Sequence, residues 1–380
     1  MKQNKVYQQI FISFMIVFNS FFLIQCVHKN EIKNSENNST DQIIDRFPAG
    51  STVKKSNIKF ESCVNKKKNY LVPYYSQFPF DYFKDHSNDW IKKIPMECIQ
   101  LAQKNYSGSF AFCESENSKP KVGAPRPCLD ENYLQLIYNA FHDVNDCFNL
   151  DPRSSFLQIM IESGFHLNAI NRTGFDAGLT QFTKNGLSRV YKGDLLRRTE
   201  QLLLESSNPS CARVSSTFRS LKLESFNVTN RCSMIAMPNN PYRAFILHYL
   251  HGMRDKIDLK KLLEKRSEIV NILDDEILEQ LVFLAYNRGI TGTLKLIDNY
   301  ISNRKSAHAQ ITREDLDLWK NLSTIRKILK KNPEKLEVLK NARIKQLTFA
   351  EYAMIQNKTY LSTMSEAGDL VKARLGDACF

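Results

Sequence analysis

Ile161-Glu162-Ser163-Gly164-Phe165 and, 13 residues after Phe165, Gly178-Leu179-Thr180-Gln181-Phe182 are the runs on which the reading of this chain turns. Glu162 closes the apolar stretch Phe156-Leu157-Gln158-Ile159-Met160-Ile161, where loss of water raises a carboxyl pKa. A polar loop containing Gly164 begins at once. A protonated glutamate at a helix end beside a loop is what acid cleavage of an acetal needs. A lone glutamate would read more plainly as a solvated helix end, but the flanking pattern argues against that.

Working outward, Asp151-Pro152 supplies a cap and a first-turn proline for the helix that runs to Glu162. Before it, the spacing of Tyr133-Leu134, Ile137-Tyr138 and Phe141 marks an amphipathic helix. Further helices are predicted near 193–206, 241–254, 257–272, 275–288, 290–304, 313–331, 333–345, 347–357 and 359–374. Strand signals are weak, the best being a short hairpin or loop around 168–181. No internal repeat is visible. The expectation is a mainly α domain over 129–380, with an insertion at about 185–275.

These residues resemble a known family. Glu162-Ser163-Gly164-Phe165, Asn168-Ala169, Thr173-Gly174 and Gly178-Leu179-Thr180-Gln181-Phe182 look like the catalytic motif of the soluble-lytic-transglycosylase-like domain. That domain has a lysozyme-like fold shared with goose-type lysozymes. Its closing run, alanine-tyrosine-asparagine-x-glycine, is matched by Ala285-Tyr286-Asn287-Arg288-Gly289. The resemblance covers about residues 130–375. Three residues separate Gly174 from Gly178, one more than is commonest, and Thr180 stands where methionine is frequent. The stretch from Gln181 to Tyr286 is longer than usual, which is why an insertion is expected, either as a lid or as a wall of a sugar cleft.

The resemblance implies cleavage of the β-1,4 bond between N-acetylmuramic acid and N-acetylglucosamine in peptidoglycan glycan strands. Glu162 would protonate the glycosidic oxygen and, as a carboxylate, then take the proton of the muramyl C6 hydroxyl. A 1,6-anhydromuramyl end results, and no second carboxylate is required. Ser163, Gln181, Tyr286 and Asn287 would be the substrate-side residues, with Tyr286 holding the acid in position. Each also has a plainer role: Ser163 as a helix-end hydroxyl, Gln181 bonding only backbone, Tyr286 as core and Asn287 shaping the helix end. Gly289 would supply the helix stop, and Phe165 would pack near the acid. Asp176 is the possible second carboxylate. It could orient water and turn the enzyme into a muramidase, or it could simply bond its own turn. No cofactor or metal is called for, since acid catalysis by a desolvated carboxylate needs neither.

The rest of the chain suggests an exported protein. Lys2 and Lys5 precede an apolar stretch from Ile10 to Ile24, which is short for a membrane span. Leu23-Ile24-Gln25-Cys26 resembles a bacterial lipoprotein signal, with Cys26 lipidated and Gln25 in place of the usual small residue. The expectation is therefore a signal peptide at 1–25 and a lipid-anchored protein of the cell envelope facing the periplasm. The alternatives are an uncleaved N-terminal anchor or a secreted form. Residues 26–58 read as a flexible tether. Residues 59–128 form a small cysteine- and aromatic-rich segment whose relation to the main domain stays open.

Apart from Cys26, eight cysteines remain, an even number suited to four disulfides. Cys211 with Cys232 is the preferred pair, both lying in the insertion. None forms a C-x-x-C pair, which speaks against metal binding. The net charge of +13 favours an anionic partner such as murein, but the lysines are scattered without an aromatic stripe, so nucleic acid has little support. A reading of a different class is a catalytically silent murein-binding lipoprotein.

Overall fold

The computed structural model describes residues 80–112, 119–124, 126, 131–172, 176–191, 194–220, 232, 241–318, 347–356 and 358–379. The predicted signal with Cys26, the tether, Thr173-Gly174 and the helix at 333–345 lie outside the described residues. In chain order come a 3-10 turn at Phe80–Phe83, α1 (Met96–Asn105), β1 (Ser109–Phe112), β2 (Lys121–Ala124), α2 (Glu131–Cys147), α3 (Pro152–Glu162) and β3 (Ala169–Ile170). They are followed by α4 (Lys184–Val190), α5 (Leu195–Glu205), α6 (Pro209–Ser220), α7 (Pro241–Leu263), a 3-10 turn at Val270–Ile272, α8 (Asp275–Ser306), α9 (Arg313–Leu316), α10 (Phe349–Gln356) and α11 (Lys358–Leu375). The protein is mainly α, with 68% of these residues helical. No described helix is long and apolar enough to cross a membrane.

Helix α2 is the centre of the packing. Leu136, Ile137, Ala140, Phe141 and Val144 recur at helical spacing and are buried. Its other face is buried too, through Asn139, His142 and Asp143, because α1, α3, α6 and α7 all pack against it. Buried polar groups need partners, and Asp143 has several. It accepts hydrogen bonds from Trp90 Nε1 (2.8 Å), Arg213 Nε (2.8 Å), Arg213 Nη2 (2.7 Å) and Tyr242 Oη (2.6 Å). Burial alone would push this carboxyl up, yet the donors from His86, Arg213 and Tyr242 prevail and hold it at about 2. One carboxylate thus ties together the N-terminal segment, α2, α6 of the insertion and α7.

The N-terminal segment docks on the main domain through these and other contacts. Its strand β1 pairs antiparallel with β3, so the three-stranded sheet runs β2-β1-β3 with Phe110 opposite Ala169. The hairpin signal near 168–181 thus corresponds to β3 and to short bridges joining Ile170, Ala177 and Phe182. Cys98 of α1 is disulfide-bonded to Cys379 just after α11.

Two sequence expectations are corrected. Cys211 bonds Cys147, not Cys232, because α6 packs on α2 and brings their Cα atoms to 4.7 Å. Cys232 is itself disulfide-bonded. The helices at 241–254 and 257–272 are largely one helix, α7, since no proline, glycine or cap interrupts residues 254–257 and Arg254 bridges Asp258 one turn on at 3.2 Å. Helix α6 has no apolar run to announce it, although Asn208 Oδ1 accepts from Ser210 N at 2.8 Å as a cap and Pro209 opens the first turn. Its buried residues Cys211, Val214 and Phe218 lie on one face, hidden among serine and threonine.

Candidate active site

Helix α3 delivers Glu162 as its last residue. Asp151 caps the start by accepting from Arg153 N at 3.0 Å, and Pro152 fits the first turn, where no amide donor is needed. At the other end the chain turns sharply through two residues of positive φ, Gly164 (+56°) and Phe165 (+61°). Gly164 is required twice over. Its φ favours glycine, and a Cβ there would lie 2.4 Å from Tyr106 Cβ. Phe165 accepts the unfavourable backbone because its ring is fully buried, against Phe141, Phe156 and Phe245.

The Glu162 side chain is half-buried: protein surrounds it densely while part of it stays open to solvent. Its Oε1 accepts a hydrogen bond from Tyr360 Oη of α11 at 3.1 Å. Burial dominates its titration and pushes the carboxyl up to about 8; the Tyr360 donor works against this and the negative charge of Asp176 works with it. At neutral pH the group is therefore mostly a neutral acid with a proton to give. The hydroxyls of Tyr106, Tyr286 and Tyr360 are all held above their ordinary range, first by burial and next by the Glu162 charge. Three phenols thus stay protonated around one carboxyl.

Asp176 is half-buried on the loop before Gly178. It accepts from Asn171 at both carboxylate (3.4 Å) and backbone oxygen (3.3 Å) while standing near enough for its charge to act on Glu162. The local turn contact and the electrostatic reach are both present.

The other expected substrate-side residues are placed differently. Ser163 is fully buried; its hydroxyl donates to the Leu179 carbonyl and accepts from Phe165 N at 3.1 Å, so it ties the helix end to the second motif. Gln181 has φ +51° and spends its amide on the carbonyls of Gly178 (2.7 Å) and Ala169 (3.0 Å). Both side chains shape the loop from within. Tyr286 is half-buried and feels the Glu162 charge, but its hydroxyl donates to the Thr180 carbonyl, not to the acid. Its ring contacts His248 and His251 at 5.1 and 5.2 Å. Asn287 is exposed. Gly289 interrupts α8 with φ +71° and ψ 161°, matching the predicted stop between 275–288 and 290–304.

Two tyrosines of the site carry no signal in the sequence. Tyr360 holds the acid from a helix 198 residues away, and Tyr106 donates to the Glu162 backbone carbonyl at 3.3 Å from the N-terminal segment. Neither stands in a local pattern that could announce it. Among the described residues, no group of three or more His, Cys, Asp or Glu side chains could hold a metal ion. Models of protein families, curated proteins and solved structures give no match to this chain.

The opposed influences on Glu162 give a pH prediction for any reaction that uses its proton. Tyr360→Phe removes the donor that lowers the pKa, so the alkaline limb of the rate profile moves to higher pH. Asp176→Asn removes the charge that raises it, so that limb moves to lower pH. Rate measurements from pH 5 to 10 on both variants check the two signs. Shifts in the same direction would count against Glu162 as the titrating acid.

Proposed function

We propose that the chain is a peptidoglycan lytic transglycosylase with a lysozyme-like domain. It would cleave the β-1,4 bond from N-acetylmuramic acid to N-acetylglucosamine and leave 1,6-anhydromuramyl ends. The observation that carries this reading is the half-buried Glu162 carboxyl, kept protonated at neutral pH by burial and fixed by the Tyr360 hydroxyl. Such a group can protonate a glycosidic oxygen as the bond to the sugar C1 breaks and an oxocarbenium-like centre forms. The resulting carboxylate then takes the proton of the muramyl C6 hydroxyl as that oxygen closes on C1. The proton count balances without water, and Glu162 returns to its starting state. The motif runs around Glu162, Gly178–Phe182 and Ala285–Gly289 supply the family resemblance.

Hydrolysis by a muramidase is the second reading, favoured by the charge of Asp176 acting on Glu162. There Asp176 would orient a water opposite the acid. The test is mass spectrometry of purified sacculi digested with the protein. Anhydro ends support the transglycosylase, reducing ends the muramidase, and no soluble fragments overturn both in favour of a silent murein binder. Our reading also places the protein in the bacterial envelope, anchored to a membrane by lipid on Cys26, which predicts fatty-acid labelling that Cys26→Ala abolishes.

A further inference from the structure

A cavity of about 910 Å³ lies between α2, α3, α7, α8 and α11, and the Glu162 carboxyl is not part of its lining. The volume falls within the range of small-molecule sites, roughly 300–1,000 Å³. Its walls are largely apolar, with Phe141, Leu157, Phe245, Met253, Phe283 and Met364 facing in. Two polar atoms in this lining, Gln158 Nε2 and His248 Nδ1, are buried without a hydrogen-bond partner among the described residues. Gln158 is only 6% exposed, and its side chain stands beside the Tyr360 hydroxyl, near enough to act on that phenol's titration but leaving Nε2 without a completed hydrogen bond. A buried donor left unmatched is costly, so an oxygen presented there would be favoured.

The mouth carries a charge asymmetry. Its acidic residues are committed: Asp151 caps α3, Glu276 pairs with Arg313, and Glu279 pairs with Lys256 at 3.1 Å. The exposed side chains of Lys92 and Arg153 have no such partner among the described residues. Uncommitted cations at the rim, apolar walls inside and an unmatched donor at depth describe one kind of molecule.

We propose that this cavity binds a single-chain anionic amphiphile with an oxygen acceptor on its apolar body, such as a hydroxyacyl carboxylate. The carboxylate sits at Lys92 and Arg153, and the chain oxygen accepts from Gln158. This site does not depend on the reading of Glu162.

The test uses the full oxidised chain and displacement of anilinonaphthalene sulfonate, followed by fluorescence. We expect 10-hydroxydecanoate to displace the dye, with its methyl ester about tenfold weaker. Lys92→Glu with Arg153→Glu should erase that difference, and Gln158→Leu should erase the advantage of the hydroxy acid over decanoate. Gly252→Leu should abolish displacement by filling the cavity. A Cβ at Gly252 meets only Val282 Cγ1, at 3.9 Å, so the backbone need not move. Val282→Phe, read beside near-ultraviolet dichroism, serves as a second filling variant should the first not fold. No displacement by the wild type, equal displacement by decyltrimethylammonium, or displacement that survives a folded filling variant overturns the site.

Discussion

Glu162→Gln is expected to abolish glycan cleavage while making the protein more stable at neutral and alkaline pH. Losing a general acid costs about 10²–10⁴ in rate, and here the same group would also serve as the base. The stability gain follows from linkage. The folded carboxyl titrates near 8, above its ordinary value of 4.5. Its contribution to stability is therefore complete below about pH 4.5 and is lost as the pH rises through 8. Glutamine carries no such penalty. Allowing for partial solvent access, the variant should gain about 1–3 kcal/mol at pH 9, with the difference vanishing near pH 4. Urea melts at the two pH values, run beside sacculus digestion, read both effects. Retained cleavage would remove the acid assignment, and an unchanged alkaline stability would remove the raised pKa.

Asp143→Ala is expected to bring the largest loss of stability. The side chain is fully buried, and removing it strands Arg213, Trp90 and Tyr242 together. Breaking a buried pair from one side typically costs about 3–5 kcal/mol. The pH dependence runs opposite to that of Glu162. The folded pKa near 2 lies below the ordinary 3.8, so the stabilisation is complete above about pH 4 and fades as the pH falls through 2. Denaturant midpoints for wild type and variant should converge in acid. A loss below about 1 kcal/mol at pH 7 would show that the cluster is not a keystone.

These residues also mark how far the sequence could be read. The acid at the end of an apolar helix was legible because apolar run, carboxylate and glycine turn are contiguous. The stop at Gly289 was legible because its signal is local. Cap and proline signals gave α3, whereas the same pair at Asn208-Pro209 was masked by a polar helix whose buried face only α2 explains. Long-range partners were not legible. Nothing near Tyr360 marks it as the residue that holds Glu162, and nothing near Cys147 marks it as the partner of Cys211. The roles of Ser163 and Gln181 turned on where their hydrogen bonds go, which residue type cannot specify. The docking of the aromatic segment came from edge pairing of β1 with β3, a contact with no signature in either strand alone.

The bond from Cys98 to Cys379 closes everything between them into a covalent loop, with a sequence separation of 281. A single proteolytic nick anywhere within that loop opens it but releases nothing. Such a nicked molecule keeps its mass on a non-reducing gel and falls into two pieces only when a reductant is added.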